Sequence, residues 1–183
     1  MTRITRETRE TSVTVALARS GETAPDGIRT SDAFLDHMLA TLARYAGWQL
    51  DLAARGDLRH HLIEDVAITL GLAVADEMPE ACTRYGDALV PMDDALVQVA
   101  IDCGGRPWYQ GPLPVRLYDH FLRSFADHAR ITVHLHVMRG RDRHHTVEAA
   151  FKALGLALRE ALSESAAVFS TKGSVRIRRD SAS

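Results

Sequence analysis

Gly56-Asp57-Leu58-Arg59-His60-His61-Leu62-Ile63-Glu64 is answered 84 residues later by Gly140-Arg141-Asp142-Arg143-His144-His145-Thr146-Val147-Glu148. A glycine, three turn residues, a histidine pair and a glutamate stand in the same order in both, without a gap. Repetition at a fixed spacing marks a duplicated supersecondary unit. Leu70-Gly71-Leu72-Ala73 and Leu154-Gly155-Leu156-Ala157 keep the same offset, and Asp36-His37-Met38-Leu39 meets Asp119-His120-Phe121-Leu122 at an offset of 83. Residues 1–85 and 86–183 therefore read as two copies of one unit within one compact domain.

Each copy has the same internal pattern. Ser12–Leu17 and Leu96–Ile101 alternate as strands do. An amphipathic helix follows, over Ala33–Ala46 in the first copy and about Leu117–His128 in the second, with Phe34, Leu35, Met38, Leu39 and Leu42 on one face and Leu117, Phe121, Leu122 and Phe125 on the other's. Short strands come next, at Trp48–Leu52 and Ile131–Val137. A longer helix then starts at each histidine pair and runs from His60 to about Glu77 and from His144 to about Ser163. Strands followed by helices imply an α+β layer in each half.

The bulk numbers exclude several classes. A chain of 183 residues with 46% hydrophobic and 25% charged residues is of ordinary globular composition, and a net charge of −2 implies no general attraction to nucleic acid. Two cysteines make no disulfide framework and fit a reducing compartment. Met1–Glu7 is charged and lacks an apolar run, and no stretch is long enough to span a membrane, so a cytoplasmic protein is expected.

The histidine clusters carry the chemistry. On a helix, residues three and four apart share a face, so His60, His61 and Glu64 offer two imidazoles and a carboxylate near the helix start, as do His144, His145 and Glu148. One such cluster is as easily a capped or exposed helix end; two at equivalent places point to metal binding. Imidazole with carboxylate and no thiolate suits Mn, Fe or Zn at a reactive rather than a structural site. His37, opening the first helix, and His134, on the strand before the second pair, complete a set of eight: His37, His60, His61, Glu64, His134, His144, His145 and Glu148. These divide into two sites of four, each with open positions for water or substrate. His120, His128 and His136 are read as surface or structural residues. Basic residues are a second theme. Arg84, Arg106 in the tight Gly104-Gly105-Arg106-Pro107 turn, Lys152 and the Ser170-Thr171-Lys172-Gly173 loop could grip a phosphate, although each alone also suits a solvated charge and Lys152 an i,i+4 pair with Glu148.

These motifs, in this order, resemble the imidazoleglycerol-phosphate dehydratase family. The likeness covers nearly the whole chain: Glu10-Thr11, Phe34-Leu35-Asp36-His37-Met38-Leu39, Gly56-Asp57-Leu58, His60-His61-x-x-Glu64-Asp65, Val90-Pro91-Met92-Asp93, Gly105-Arg106-Pro107, His144-His145-x-x-Glu148, Phe151-Lys152-Ala153 and Ser170-Thr171-Lys172-Gly173. The resemblance implies duplicated left-handed β-α-β units of the ribosomal-protein-S5 domain-2 type, as two four-stranded sheets with helices packed between them. It implies two Mn2+ ions per active site on the eight ligands, some reaching across from neighbouring subunits in an assembly of 24 built from trimers. The reaction it implies is dehydration of D-erythro-imidazole-glycerol phosphate to imidazole-acetol phosphate in histidine biosynthesis. Glu10 is nominated as acid/base, with Glu148 beside the reacting carbons. Glu10, Arg84, Arg106, Lys152, Ser170, Thr171 and Lys172 are nominated as substrate and phosphate contacts.

The chain departs from the family pattern at four places. The turn before His60 is about three residues shorter than usual. Thr41 and Tyr45 stand where Gln and His are common, and Gly104 stands where Ser is usual. A paralogue acting on another small molecule and a non-catalytic metal-binding shell protein are the competing readings; intact Glu10 and basic anchors argue against the shell protein.

Overall fold

A computed structural model describes residues 1–24 and 27–166. Six elements occur in one order, twice. The first set is β1 (Thr2–Glu7), β2 (Thr11–Ala18), β3 (Ile28–Arg29), α1 (Ala33–Ala46), β4 (Gln49–Gly56) and α2 (Arg59–Asp76). The second is β5 (Tyr85–Met92), β6 (Ala95–Asp102), β7 (Trp108–Gln110), α3 (Arg116–Ala129), β8 (Thr132–Arg139) and α4 (Arg143–Ala161). The strands form two four-stranded sheets, ordered β1-β2-β4-β3 and β5-β6-β8-β7. Pairing is antiparallel except for β3 with β4 and β7 with β8. The fold is the α+β arrangement that the duplicated pattern predicts.

Sequence periodicity finds the two central strands of each sheet and passes over the edges. β2 buries Val13, Val15 and Leu17, and β8 buries Val133 and Leu135. β1, in contrast, alternates half-buried and exposed residues and buries none completely. Its inward positions are Thr2, Ile4 and Arg6, with one apolar residue among them, so the strand carries little hydrophobic alternation for a reader to detect. α1 spans the range its periodicity predicts. Asp32 caps it, accepting from Phe34 N at 3.1 Å and Leu35 N at 2.9 Å, and Gly47 ends it in the left-handed region at φ 72°.

The helices pack across the halves. α2 lies on the first sheet and against α3; α4 lies on the second sheet and against α1. Two glycines at equivalent repeat positions mark the closest approaches. A Cβ on Gly71 would stand 2.8 Å from the Phe125 carbonyl oxygen and 3.0 Å from the Ala129 nitrogen. A Cβ on Gly155 would stand 2.9 Å from the Leu42 carbonyl oxygen and 3.1 Å from the Ala46 nitrogen. Backbone atoms cannot swing aside, so only glycine lets these helices touch. Around the crossings Tyr118, Phe121, Phe125 and Phe151 are all buried, with Phe121 and Phe151 rings 5.2 Å apart.

Gly71→Ala and Gly155→Ala should each push a helix pair apart, at a cost of about 1–3 kcal/mol. Thermal unfolding measures this, and a variant melting with the parent would show that the helices do not need the close contact.

Candidate metal centre and active site

The helix exchange brings histidines of one half to the glutamate of the other. His37 on α1 meets His144 and Glu148 on α4: Glu148 Oε2 lies 3.5 Å from His37 Nε2 and 3.1 Å from His144 Nε2. His120 on α3 meets His60 and Glu64 on α2: Glu64 Oε2 lies 3.5 Å from His60 Nε2 and its Oε1 3.2 Å from His120 Nε2. The His60 and His120 rings stack at 5.2 Å. In each triad the ligand atoms lie within 4.8 Å of one another. Bonds of roughly 2.0–2.2 Å to one ion need little more closure than that. Two imidazoles and a carboxylate, without sulfur, are a donor set for a borderline-hard divalent ion. The residues fit a metal.

The Asp-His pairs show why these histidines reach the facing helix. Asp36 accepts from Thr30 N at 2.8 Å and Thr30 Oγ1 at 2.6 Å. Asp119 accepts from Leu113 N at 2.8 Å and the Tyr109 hydroxyl at 2.6 Å. Each aspartate ties its helix to the preceding loop, and the adjacent histidine projects toward the other half. Burial, reinforced by Asp119, pushes the Tyr109 phenol far above its usual range, so it serves as a donor.

His61 and His145 stand apart from the triads. His61 Nδ1 lies 2.9 Å from Asp57 Oδ1 and 3.4 Å from Glu10 Oε2, forming a third ligand-like group. His145 Nδ1 lies 2.7 Å from Asp94 Oδ1, and its Nε2 lies 3.3 Å from Asp93 Oδ2. The hydrogen bond that His61 donates to Asp57 raises its pKa, and that which His145 donates to Asp94 does the same.

The triads are alike in geometry and unlike in setting. Glu148 is buried, and burial alone would lift its pKa. Lys152 Nζ at 2.9 Å from its Oε1, together with His37, outweighs burial and lowers it. Glu64 is half-exposed and has Ile68 where Glu148 has Lys152. The i,i+4 pair foreseen for Lys152 is therefore present.

His134 belongs to none of these groups. It alternates on β8 with buried Val133 and Leu135, so it faces away from the helices whose N-termini carry the clusters. The place next to the first histidine pair is taken instead by His120, read from sequence as a surface or structural residue. The missed signal was its correspondence with His37. With His120 in place, the helical ligands follow the repeat, and the asymmetry suggested by His134 disappears.

Among the basic residues, Arg84 is gripped by Asp102, with Nε 2.7 Å from Oδ1 and Nη2 3.0 Å from Oδ2. This pair explains Gly104: a Cβ there would stand 2.7 Å from Arg84 Nη2 and 2.8 Å from Asp102 Oδ1. Arg106 is exposed at its turn. Ser170, Thr171 and Lys172 lie outside the described residues. Thr41 is buried on α1, and the Tyr45 ring lies 5.9 Å from Lys152 Nζ. Arg116 and Arg123, not singled out in the sequence, line a depression of about 450 Å³ with His60 and His120.

Comparisons with known proteins point one way. The family model described as imidazoleglycerol-phosphate dehydratase matches residues 30–158. The imidazoleglycerol-phosphate dehydratase of Pyrococcus furiosus is 44% identical over 177 residues, covering 92% of this chain and 98% of the relative. That of Pyrobaculum calidifontis is 46% identical over 184 residues, covering 92% and 96%. A crystal structure of the Pyrococcus furiosus protein in complex with (S)-C348 superposes with a TM-score of 0.84 at 43% identity, covering 94% of this chain and all of that one. The Staphylococcus aureus imidazoleglycerol-phosphate dehydratase gives 0.77 at 30% identity.

His120→Ala should lower the metal content measured by elemental analysis, while His134→Ala should leave it unchanged; the reverse pattern would restore His134 as a ligand. Acidity acts on the outlying histidines with a definite sign. Their raised pKa values mean that, without metal, the His61–Asp57 and His145–Asp94 contacts contribute most below the ordinary imidazole value of about 6.5 and are lost as pH rises through the raised values. A protonated imidazole cannot be a ligand, so metal affinity runs the other way. Acidification from about pH 8 to about pH 5 should release metal as the imidazoles protonate. His61→Ala and His145→Ala should each lower the metal content measured by elemental analysis, and unchanged content would remove that histidine from the ligand set.

Proposed function

The chain belongs to the imidazoleglycerol-phosphate dehydratase family, and from that premise we propose how its own residues carry out the reaction: D-erythro-imidazole-glycerol phosphate loses water to give imidazole-acetol phosphate, a step of histidine biosynthesis. The chain is thus a hydro-lyase. The observation that carries the reading is the pair of imidazole-carboxylate triads assembled across the two halves.

His37, His144 and Glu148 would hold one divalent ion and His60, Glu64 and His120 the other, with His120 taking the part first expected of His134. We assign Mn2+ to both on the family resemblance; a nitrogen-and-oxygen donor set without thiolate admits it, as it admits iron or zinc. Bound there, the ions would grip the substrate's imidazole nitrogens and favour its anionic form. Three ligands from one chain leave each ion open to further donors. His61 and His145, turned away from their own triads, are fitted to supply one to a neighbouring subunit, in keeping with a closed 24-subunit assembly.

The reaction breaks a C–H bond at C2 and a C–O bond at C3. Glu10 is the base for C2. It stands exposed at the turn between β1 and β2, with its carboxylate beside His61, and would reach the site to which His61 is donated. The C2 proton passes to the Glu10 carboxylate and the C3–O bond breaks; the departing hydroxide takes up that proton from Glu10 as water, which resets the base, and the enol so formed moves its hydroxyl proton to C3 to become the ketone. Glu148 is held ionised by Lys152 as ligand and neighbour of the reacting carbons. Exposed Arg106 offers a forked donor for the phosphate. Arg84 and Lys152, fixed by Asp102 and Glu148, would join it in the phosphate grip, and the family resemblance adds Ser170, Thr171 and Lys172, which lie outside the described residues. A cytoplasmic location fits this metabolic role, and among the described residues no helix is long and apolar enough to cross a membrane.

The test is direct. Metal-stripped protein should form no imidazole-acetol phosphate from the substrate, and added Mn2+ should restore formation. Metal binding without product would reject the dehydratase reading in favour of another substrate, and full turnover in chelator would reject the role of the metal.

A further inference from the structure

The two halves differ beneath their first hairpins. Asp65, one residue after Glu64, is a nearly buried carboxylate; its counterpart 84 residues on is Ala149. Asp65 Oδ2 lies 2.6 Å from Arg6 Nη1 and accepts a hydrogen bond from the Thr11 hydroxyl. Thr11 Oγ1 in turn lies 3.0 Å from Thr8 Oγ1. Thr8 Oγ1 accepts from Glu10 N at 3.1 Å and from Thr11 N at 3.0 Å. On the other side, Asp57 N donates to the Glu10 carbonyl at 3.0 Å.

The chain of hydroxyls has a fixed direction. An ionised carboxylate only accepts, so Thr11 must donate to Asp65. The lone pairs of Thr11 are then free to accept from the Thr8 hydroxyl. The Thr8 hydroxyl proton has two acceptors within reach, Thr11 Oγ1 at 3.0 Å and the longer Thr11 carbonyl at 3.5 Å, and the Thr8 lone pairs turn to the two backbone N–H groups. Asp65 thereby orders the whole turn between β1 and β2, and the backbone of Glu10 is held at both its N–H and its C=O.

The second half solves the same problem differently. Asp94 is the counterpart of Glu10, and its carboxylate is occupied by Arg141 N at 2.5 Å, Asp142 N at 3.1 Å and His145 Nδ1 at 2.7 Å. It secures its turn with its own side chain. The Glu10 carboxylate accepts no backbone hydrogen bond among the described residues. Its turn is secured from below by Asp65, and its side chain is left for other work.

We propose that Asp65 is a positioning residue for the dehydration, setting the place of the Glu10 carboxylate through Thr11 and Thr8. This rests on the reading of Glu10 as the base. A carboxylate misplaced by about 1 Å can cost on the order of a hundredfold in rate, with substrate binding little changed.

The experiment uses the full-length, metal-loaded, assembled protein with imidazole-glycerol phosphate. Thr11→Val keeps the shape of the side chain and removes the hydroxyl; Thr11→Ser keeps the hydroxyl. Thr11→Val should lower kcat by ten- to a hundredfold, with KM and metal content within about twofold of the parent. Thr11→Ser should restore most of the rate. Hydrogen exchange should quicken at the Glu10 and Thr11 amides in the valine variant while α2 stays protected. If Thr11→Val does not assemble, Asp65→Ala, the residue found at the counterpart position 149, carries the same expectation, since it removes the acceptor of the Thr11 hydroxyl. Unchanged kcat in the variant that assembles would overturn the proposal. So would a serine variant as slow as the valine one, or a loss confined to KM or metal content. Glu10→Gln is the separate arm. A Glu10→Gln variant that turns over at the parental rate takes down the reading of Glu10 itself, and the proposal with it. An inactive one beside a fully active Thr11→Val takes down the proposal alone.

Discussion

The contact on which the site depends is the close crossing of helices from different halves, α2 on α3 at Gly71 and α1 on α4 at Gly155. Neither half could build a triad alone. The His-His-Glu clusters sit on α2 and α4, and the histidines that complete them sit on α3 and α1. At these crossings a methyl group would press on the backbone of the facing helix. The spacing that aligns His60 with His120, and His144 with His37, is therefore set by residues that have no side chain and no chemistry. The triads also place exposed or half-exposed imidazoles beside a carboxylate, and the tight packing behind them holds these polar groups together in the absence of an ion.

Much of this was legible in the sequence because duplication is a strong signal. The offset of 84 residues located the histidine pairs, both long helices and the two crossing glycines. What the sequence concealed follows from its physical cause. The edge strands β1 and β5 escape a search for hydrophobic alternation because polar residues or glycine fill several of their inward positions, Thr2 and Arg6 in β1 and Gly86 in β5. His134 attracts attention in the sequence because it lies near the second histidine pair along the chain, and His120 does not. The fold brings ligands together across the halves instead. The repeat already contained the answer, since Asp119-His120 is the counterpart of Asp36-His37. Arg116 and Arg123 carry no motif, and only the packing of α3 beside α2 brings them to the same depression as His60.

The departures from the usual family pattern separate along the same lines. Gly104 has a local cause: the Arg84–Asp102 pair occupies the volume that a Cβ would need. In the turn before His60, Asp57 N donates to the Glu10 carbonyl and Asp57 Oδ1 lies 2.9 Å from His61 Nδ1, so this residue ties the hairpin of the first half to the start of α2. Tyr45 lies against the Gly155 crossing and near Lys152. Nothing in the structure explains Thr41 beyond its burial on α1.

Adjacent histidines on a helix have a geometric consequence that one histidine would not. Successive residues diverge by about 100° around the axis, so neighbouring rings cannot both face the same helix. His60 stacks on His120, while His61 turns to Glu10 and Asp57, with the two ring planes at 76°. His144 and His145 diverge in the same way, at 85°. Each helix start thus offers one ring inward, to a triad completed by the other half, and one ring outward, held by carboxylates and ready for a different partner. A metal that needs more donors than a triad supplies would draw the outward ring of another copy. The residue pair that makes the chain's own site would then also make its contacts with neighbours, and loss of metal would weaken both together.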